Sequence, residues 1–298
     1  MNRYLIHIAW FDVKLVCTNL TSVQKALEYS TVPTEIMLVL NEQTFIDKPE
    51  KGEPSDMWKE FMNHPLIPQC KIVKITNDDP FTGVSRVRRD YRSKDGLTYW
   101  GESDCFLPLE CFYVAETFQN THKERPYVMT FATRKMWGGW ELIEHPLVVN
   151  KTMIGYDSMT DKNNIEEYRL HFSGPMSPEW LYEFNEKQGD PEIILLPEPR
   201  IEGALTILSD NMPEPLLCPT QDFIGEDFCL QMAMKYYNIP QFHVKNILKG
   251  HDTANPLKRT NVSKEKLKTG YSNAGKIRKE KEEKEMFDFI KSLYKNNI

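Results

Sequence analysis

The sequence predicts an α/β fold in which a mixed, mainly parallel sheet is flanked by helices. Apolar runs at Tyr4–Trp10 and Glu35–Leu40 are typical of buried strands, and Thr21–Ser30 between them has the apolar spacing of a helix. Strand–helix–strand is the unit from which parallel sheets are built. A third strand is expected at Cys70–Ile75. Because ligands bind beyond the carboxyl ends of such strands, we expect a functional site at that edge.

Further elements are expected along the rest of the chain. Helices are predicted at Ser85–Arg92, Leu109–Gln119, Ser177–Glu186 and Phe228–Tyr237, and strands at Leu97–Trp100 and Tyr127–Thr133. The final segment is rich in Lys and Glu, with apolar residues near its end. This pattern predicts a C-terminal helical tail that docks by its last turns.

Composition narrows the class of protein. Of 298 residues, 40% are hydrophobic and 27% charged, which is typical of a folded chain with a real core. The formal net charge of −6 indicates that the molecule as a whole is not an electrostatic binder of nucleic acid. No apolar run approaches the roughly 20 residues that span a bilayer, and the N-terminus does not resemble a signal peptide. The six cysteines form no Cys-x-x-Cys pair, so we expect a reducing, cytoplasmic location.

The most informative segment is Leu97–Pro108, in which two acids follow a short strand. Glu102 and Asp104 are two positions apart, and alternate residues of an extended chain project to the same side. Apolar residues flank the pair, and unpaired buried charge is costly. We therefore predict that both acids face one divalent cation that carries phosphate oxygens. The alternative is a pair of solvated acids in a turn.

Two later segments carry further candidates. Glu226 and Asp227 precede a predicted helix, where they either cap it or supply a general base that takes a proton from an attacking hydroxyl. His251 follows a glycine at the end of an apolar run. A neutral imidazole there is a good further ligand for a manganese-like ion, although a lone histidine is more often structural.

Basic residues in two places are candidates for contact with phosphate. The predicted helix Ser85–Arg92 carries four arginines, of which Arg86 lies nearest the preceding strand. Lys258 and Arg259 follow the His251 segment and either hold pyrophosphate oxygens or form an ordinary solvated pair.

Two tryptophans are candidates for contact with a ligand. Trp137 and Trp140 enclose a pair of glycines, so flat rings stand in a flexible stretch of backbone. Such rings stack on sugars and on bases, and the alternative for both is packing in the core.

Taken in order, these segments resemble the GT-A fold glycosyltransferases, especially the inverting group that includes cellulose and chitin synthases. The resemblance covers residues 4–110 and 222–260. Glu102-Ser103-Asp104 is similar to the family's Asp-x-Asp metal motif, with Glu in place of the first Asp. Glu226-Asp227 looks like its catalytic-base motif, and His251 like a metal ligand of some branches. The family's usual acceptor-site motif is not recognisable.

The resemblance implies a Rossmann-like GT-A sheet and a division of the chain. Residues 1–260 would form the glycosyltransferase domain, with 1–110 as its nucleotide-binding half and 111–260 as its acceptor and catalytic half. Residues 261–298 would form the charged helical tail. A UDP-sugar would be the donor, and Mn²⁺ or Mg²⁺ the metal.

The resemblance also implies roles for the candidate residues. Asp104 and His251 would bind the metal. Glu102 would either contact these ligands without binding the metal itself, or contact the ribose. Asp227, or else Glu226, would be the catalytic base. The residues expected to bind the donor are Asp12, Asn41, Glu42, Arg86, Glu102, Lys258 and Arg259, and those expected to bind the acceptor are Trp137 and Trp140.

The expected activity is transfer of a hexose or pentose from a UDP-sugar to an acceptor hydroxyl. The compact layout also resembles phage-type and kinetoplastid-type transferases, which makes a 5-hydroxymethylpyrimidine base in DNA the first acceptor to consider. A glycan, a protein or a small molecule is the alternative acceptor. A non-catalytic protein that binds nucleic acid or glycan is the alternative of another class. A sugar-nucleotidyltransferase is disfavoured because Asp12–Leu20 contains no glycine.

Overall fold

The computed structural model describes residues 1–8, 13–41, 59–75, 84–135, 178–201, 204–219, 226–251 and 273–295. The strands in these ranges are β1 (Asn2–Ile8), β2 (Thr34–Asn41), β3 (Cys70–Ile75), β4 (Thr98–Gly101), β5 (Cys105–Phe106), β6 (Val128–Lys135), β7 (Ile193–Leu195), β8 (Leu205–Leu208) and β9 (Gln241–His251). The helices are α1 (Val13–Leu27), α2 (Val84–Asp90), α3 (Cys111–Thr121), α4 (Pro178–Glu186), α5 (Glu226–Tyr237) and α6 (Asn273–Lys295), with a 3₁₀ turn at Ile67–Gln69.

The nine described strands form one sheet in the order β3-β2-β1-β4-β8-β6-β9-β5, with β7 also paired to β9. Strands β1 to β4 are mutually parallel, as are β6 and β9. Strand β8 runs antiparallel to both β4 and β6, and β5 and β7 run antiparallel to β9. The predicted mixed, mainly parallel sheet is therefore confirmed.

Helices cover both faces of this sheet. On one face, Tyr4 and Ile6 of β1 pack in an apolar cluster with residues of α1 and α3. On the other face, Leu5 of β1 packs with Trp100 of β4 and with residues of α2, α5 and α6. Successive side chains of a strand point to opposite faces, so a central strand covered on both sides is apolar throughout.

Helix α1 begins earlier than predicted, at Val13 rather than at Thr21. Thr21 and Ser22, at the predicted start of this helix, therefore lie inside it. The Thr21 hydroxyl donates to the Cys17 carbonyl (3.0 Å), and the Ser22 hydroxyl donates to the Asn19 carbonyl (2.7 Å). Both hydroxyls thus bond back along a continuous helix, a bond that Ser and Thr side chains can make inside a helix.

The other predicted elements are present with small changes at their ends. Strand β3 has the predicted bounds, and α3, α4 and β6 lie within two residues of theirs. Strands β5, β7 and β8 were not predicted, and only the apolar run before His251 pointed to β9. The C-terminal helix is confirmed, because Met286, Ile290 and Leu293 near the end of α6 are buried. Within the described ranges, no helix combines the length and the apolar character needed to cross a membrane. The proposed division at residue 260 stays a prediction.

Strand β9 brings distant parts of the chain together. It runs parallel to β6 along its length, with a shift in register by which Phe131 pairs with Val244 and Ala132 with Leu248. At its end, His251 pairs with Cys105 of β5. Because Cys105 directly follows the predicted acidic motif, this pairing places His251 beside that motif.

Candidate active site

The acids Glu102 and Asp104 lie in a tight turn between β4 and β5. The Cys105 N–H donates to the Glu102 carbonyl (3.0 Å), and the Glu102 N–H donates to the Ala204 carbonyl (3.2 Å) at the start of β8. Asp104 is buried, with 1% of its surface exposed. The two carboxylates do converge, but because the chain turns, and not because they alternate along an extended strand.

His251 completes a group of three possible metal ligands. Its Nε2 atom lies 3.4 Å from Oε2 of Glu102 and 3.6 Å from Oδ2 of Asp104. One ligand atom from each of the three residues lies within 4.8 Å of the others. Two carboxylate oxygens and one imidazole nitrogen are suited to a divalent ion such as Mn²⁺.

The electrostatics of this group favour positive charge at its centre. Burial alone would lower the pKa of His251, but the carboxylates of Asp104 and Glu102 outweigh burial and raise it to about 9. Burial also acts to raise the pKa of Glu102, but the hydrogen bond and charge of His251, together with Arg88, lower it. Positive charge beside these carboxylates is therefore favourable, and a metal ion that binds Nε2 of His251 has to displace the proton there.

Arg88 links this group to a second pair of acids. Its guanidinium lies 3.2 Å from Oε1 of Glu102, 3.0 Å from Oε1 of Glu226 and 3.1 Å from Oδ1 of Asp227. The Arg88 side chain is 4% exposed, and its guanidinium lies 5.5 Å from the centroid of the Trp100 ring. The guanidinium therefore joins carboxylates that are more than a hundred residues apart in sequence.

Glu226 and Asp227 are the first two residues of α5. Acids in this position interact favourably with the positive end of the helix dipole. Burial and the neighbouring charge of Glu226 raise the pKa of Asp227 to about 7, although Arg88 acts in the opposite direction. A carboxylate with a pKa near neutrality is suited to take up a proton during a reaction.

Sequence reasoning singled out Arg86 among the four arginines, whereas the structure places Arg88 within this cluster. Val87 and Arg88 are buried and Val84 is half-buried, and Val84 lies on the same helix face as Arg88, four residues later. That spacing was a signal for Arg88. Contact between Arg86 and the donor stays a prediction.

The other predicted site residues divide into two groups. Asn41 is the last residue of β2, at the same sheet edge as the turn after β4. The remaining candidates lie outside the described residues: Asp12, Glu42, Trp137, Trp140, Lys258 and Arg259.

Comparison with protein-family models and with curated protein sequences gives no match. Among solved structures, S. aureus TarS 1–349 is 12% identical and aligns over 92% of this chain and 67% of that chain, with a TM-score of 0.43. The same TarS segment in complex with UDP-GlcNAc aligns over 46% of this chain and 35% of that chain, at 13% identity and a TM-score of 0.32. GalNAc-T7 with UDP, GalNAc and Mn²⁺ is 12% identical over 91% of this chain and 48% of that chain, with a TM-score of 0.44. These alignments assign no activity, which is argued below from the site itself.

Replacing Arg88 tests whether the cluster is held by its guanidinium. Arg88→Met leaves the surrounding carboxylates to repel one another, so the free energy of unfolding should fall by about 3–5 kcal/mol. The matched control is Lys235→Met, which removes an exposed ion pair with Glu198 and should change it by less than about 1 kcal/mol. Urea denaturation measures both. Equal effects of the two substitutions would contradict a central role for Arg88.

Proposed function

We propose that this chain is a metal-dependent glycosyltransferase that moves a sugar from a UDP-sugar to an acceptor hydroxyl. The observation that carries the proposal is the proximity of two chemically different groups. Glu102, Asp104 and His251 form a group suited to a divalent cation, and Glu226 and Asp227 form a candidate proton acceptor. Arg88 contacts both groups, so they belong to one site.

Asp104 and His251 would hold Mn²⁺ or Mg²⁺, with Glu102 beside them. When bound, the cation would neutralise the negative charge that develops on the nucleoside diphosphate as it leaves. The residues fit this role because two carboxylates and one imidazole bring possible ligand atoms within 4.8 Å of one another.

The topology supports a donor lying across the edge of the sheet. Strands β1, β2 and β4 are parallel, so their carboxyl ends meet at the edge where the Glu102–Cys105 turn stands. Asn41 ends β2 at that edge. We retain the predicted donor contacts of Asp12, Asn41, Glu42, Arg86, Glu102, Lys258 and Arg259 as part of this proposal.

Asp227 is the proposed general base, with Glu226 as the alternative. The ionised carboxylate of Asp227 takes the proton from the acceptor hydroxyl as that oxygen attacks the anomeric carbon. The bond from this carbon to the diphosphate breaks, and the nucleoside diphosphate leaves with the bonding electrons. Arg88 holds Asp227 in place through its Nη1 atom, 3.1 Å from Oδ1. Attack in line with the leaving group gives inversion at the anomeric carbon.

Charge in the described site favours a neutral acceptor. Four carboxylates stand there against one guanidinium and one imidazole, and the divalent cation, when bound, would be paired with the donor diphosphate, so the described cluster offers no excess positive charge to attract a polyanionic acceptor. We therefore propose a hydroxyl of a glycan, a protein side chain or a small molecule as acceptor, ahead of the DNA base that the sequence analysis considered first. The stacking role of Trp137 and Trp140 stays a prediction.

A donor-hydrolysis screen tests the proposed activity. UDP-, GDP- and TDP-sugars are each incubated with the protein and Mn²⁺, and the released nucleotide is measured. We expect release from a UDP-sugar only, and its loss in Asp104→Ala, because Asp104 would hold the cation. The control Asp210→Ala removes an exposed acid that bonds Gln119 far from the site, and should retain activity. A protein that binds UDP but releases none from any donor would be a binding module instead.

The pH profile tests the general base. Because the pKa of Asp227 is about 7, kcat/KM should rise with pH and level off above about 7, where the carboxylate is ionised. Asp227→Asn should lower kcat about 10²–10⁴-fold. Glu226→Gln removes a charge that raises the pKa of Asp227, so the midpoint should move to lower pH. If Glu226→Gln abolishes activity while Asp227→Asn does not, Glu226 is the base.

An acceptor panel tests the inference drawn from charge. With the active UDP-sugar, transfer is compared between neutral oligosaccharides and a DNA duplex containing 5-hydroxymethylcytosine, both at low ionic strength and read by mass spectrometry. We expect a glycosylated oligosaccharide and unmodified DNA. Efficient modification of the DNA would reverse this order and restore the acceptor considered first.

A further inference from the structure

We propose that Asn19 of α1 is a positioning residue that fixes the acidic turn for cation binding; the proposal rests on the cation site described above. Asn19 is fully buried. Its Nδ2 atom donates to the carbonyl of Cys105 (2.6 Å) and to the carbonyl of Glu102 (3.2 Å). These two carbonyls are the two ends of the turn that carries Glu102 and Asp104.

One amide group thereby sets the shape of the whole turn. The Glu102 carbonyl also accepts the Cys105 N–H, so Asn19 binds across the bond that closes the turn. Asp104 lies between the two anchored carbonyls, one residue before Cys105. Fixing both carbonyls therefore fixes the direction in which the Asp104 carboxylate leaves the backbone.

The same contact sets the distance to His251. Cys105 is the residue of β5 that pairs with His251 of β9. Asn19 bonds the Cys105 carbonyl, and His251 pairs with Cys105 in the sheet. The positions of all three possible ligands therefore depend on where the backbone of Cys105 lies. A shift of that position would separate the carboxylates from the imidazole.

Only a side-chain amide performs this function with the contacts present. A buried carbonyl needs a donor, and the amide of Asn offers two N–H groups from one side chain. An aspartate of the same shape offers none when ionised, and would add a further charge beside Glu102.

A second contact orients Asn19 itself. Tyr4 is fully buried, and its hydroxyl donates to Oδ1 of Asn19 (3.4 Å), which leaves both N–H groups of the amide for the two carbonyls. The chain leaves room for this ring at Gly101, the residue before Glu102, where a Cβ atom would lie only 2.3 Å from the Tyr4 oxygen. Gly101 is thus required for the packing that holds Asn19 in its orientation.

Helix α1 also supplies a matched control. Ser22, one turn further along, is fully buried like Asn19 and accepts the Leu107 N–H (3.0 Å). That bond lies beyond β5, outside the acidic turn. Ser22→Ala removes this bond and the hydrogen bond from the Ser22 hydroxyl to the Asn19 carbonyl, but it leaves both bonds from the Asn19 amide to the turn in place.

The experiment measures binding of Mn²⁺ to the full chain, by electron paramagnetic resonance of the free ion, without donor or acceptor. Asn19→Ser and Asn19→Asp should weaken Mn²⁺ binding about 10–100-fold, as is typical when a partner of a metal ligand is lost. Ser22→Ala should leave the dissociation constant within about twofold. Urea denaturation of each variant separates loss of stability from loss of affinity. Tyr4→Phe, a milder change, should weaken Mn²⁺ binding several-fold and keeps the test available if the Asn19 variants do not fold.

The outcomes distinguish the two proposals. If the unmodified chain does not bind Mn²⁺, the proposed cation site itself fails, and this inference fails with it. If the unmodified chain binds Mn²⁺ and the Asn19 and Tyr4 variants bind it equally well, the cation site stands and the positioning role of Asn19 is overturned. The same holds if Ser22→Ala weakens binding as much as Asn19→Ser.

Discussion

The pairing of Cys105 with His251 is the constraint on which the site depends. Strand β5 has only two residues, yet it joins the turn after β4 to the far end of β9. Without that short pairing, no strand pairing would link the turn that carries Glu102 and Asp104 to the strand that carries His251. The sheet therefore does more than support the site, because its hydrogen-bonded register determines which side chains meet.

Charge balance is the second constraint, and it acts through Arg88. A buried guanidinium is stable only when it is paired, and here three carboxylates from two separate parts of the chain pair with it. These contacts bring the first turn of α5 toward β4. The result is an acidic site in which the three possible metal ligands and the two acids at the start of α5 lie side by side, as the proposed transfer requires.

Much of the fold follows from local patterns, and parts of it do not. Strand β3 was predicted because the signals for it, an apolar run and its flanking residues, are adjacent in the sequence. The start of α1 was missed because a hydroxyl such as that of Thr21 bonds within a helix as well as at its end. Strand β8 was missed because Leu205–Leu208 is buried throughout and shows no alternation. Arg88 and Asn19 escaped the site prediction because their partners lie between 14 and 139 residues away in sequence.

The break in register between β6 and β9 divides β9 into two parts with different partners. Residues 241–244, before the break, pair with the stretch of β6 that ends at Phe131, and three of them also pair with β7. Residues 248–251, after the break, pair with the rest of β6 and end at His251. Residues 245–247 lie in the gap between the two paired stretches. Ile247 packs into the core from this irregular segment, and Asn246 accepts the Glu192 N–H before β7, so the break is anchored on both sides and the strand beyond it delivers the imidazole to a defined place.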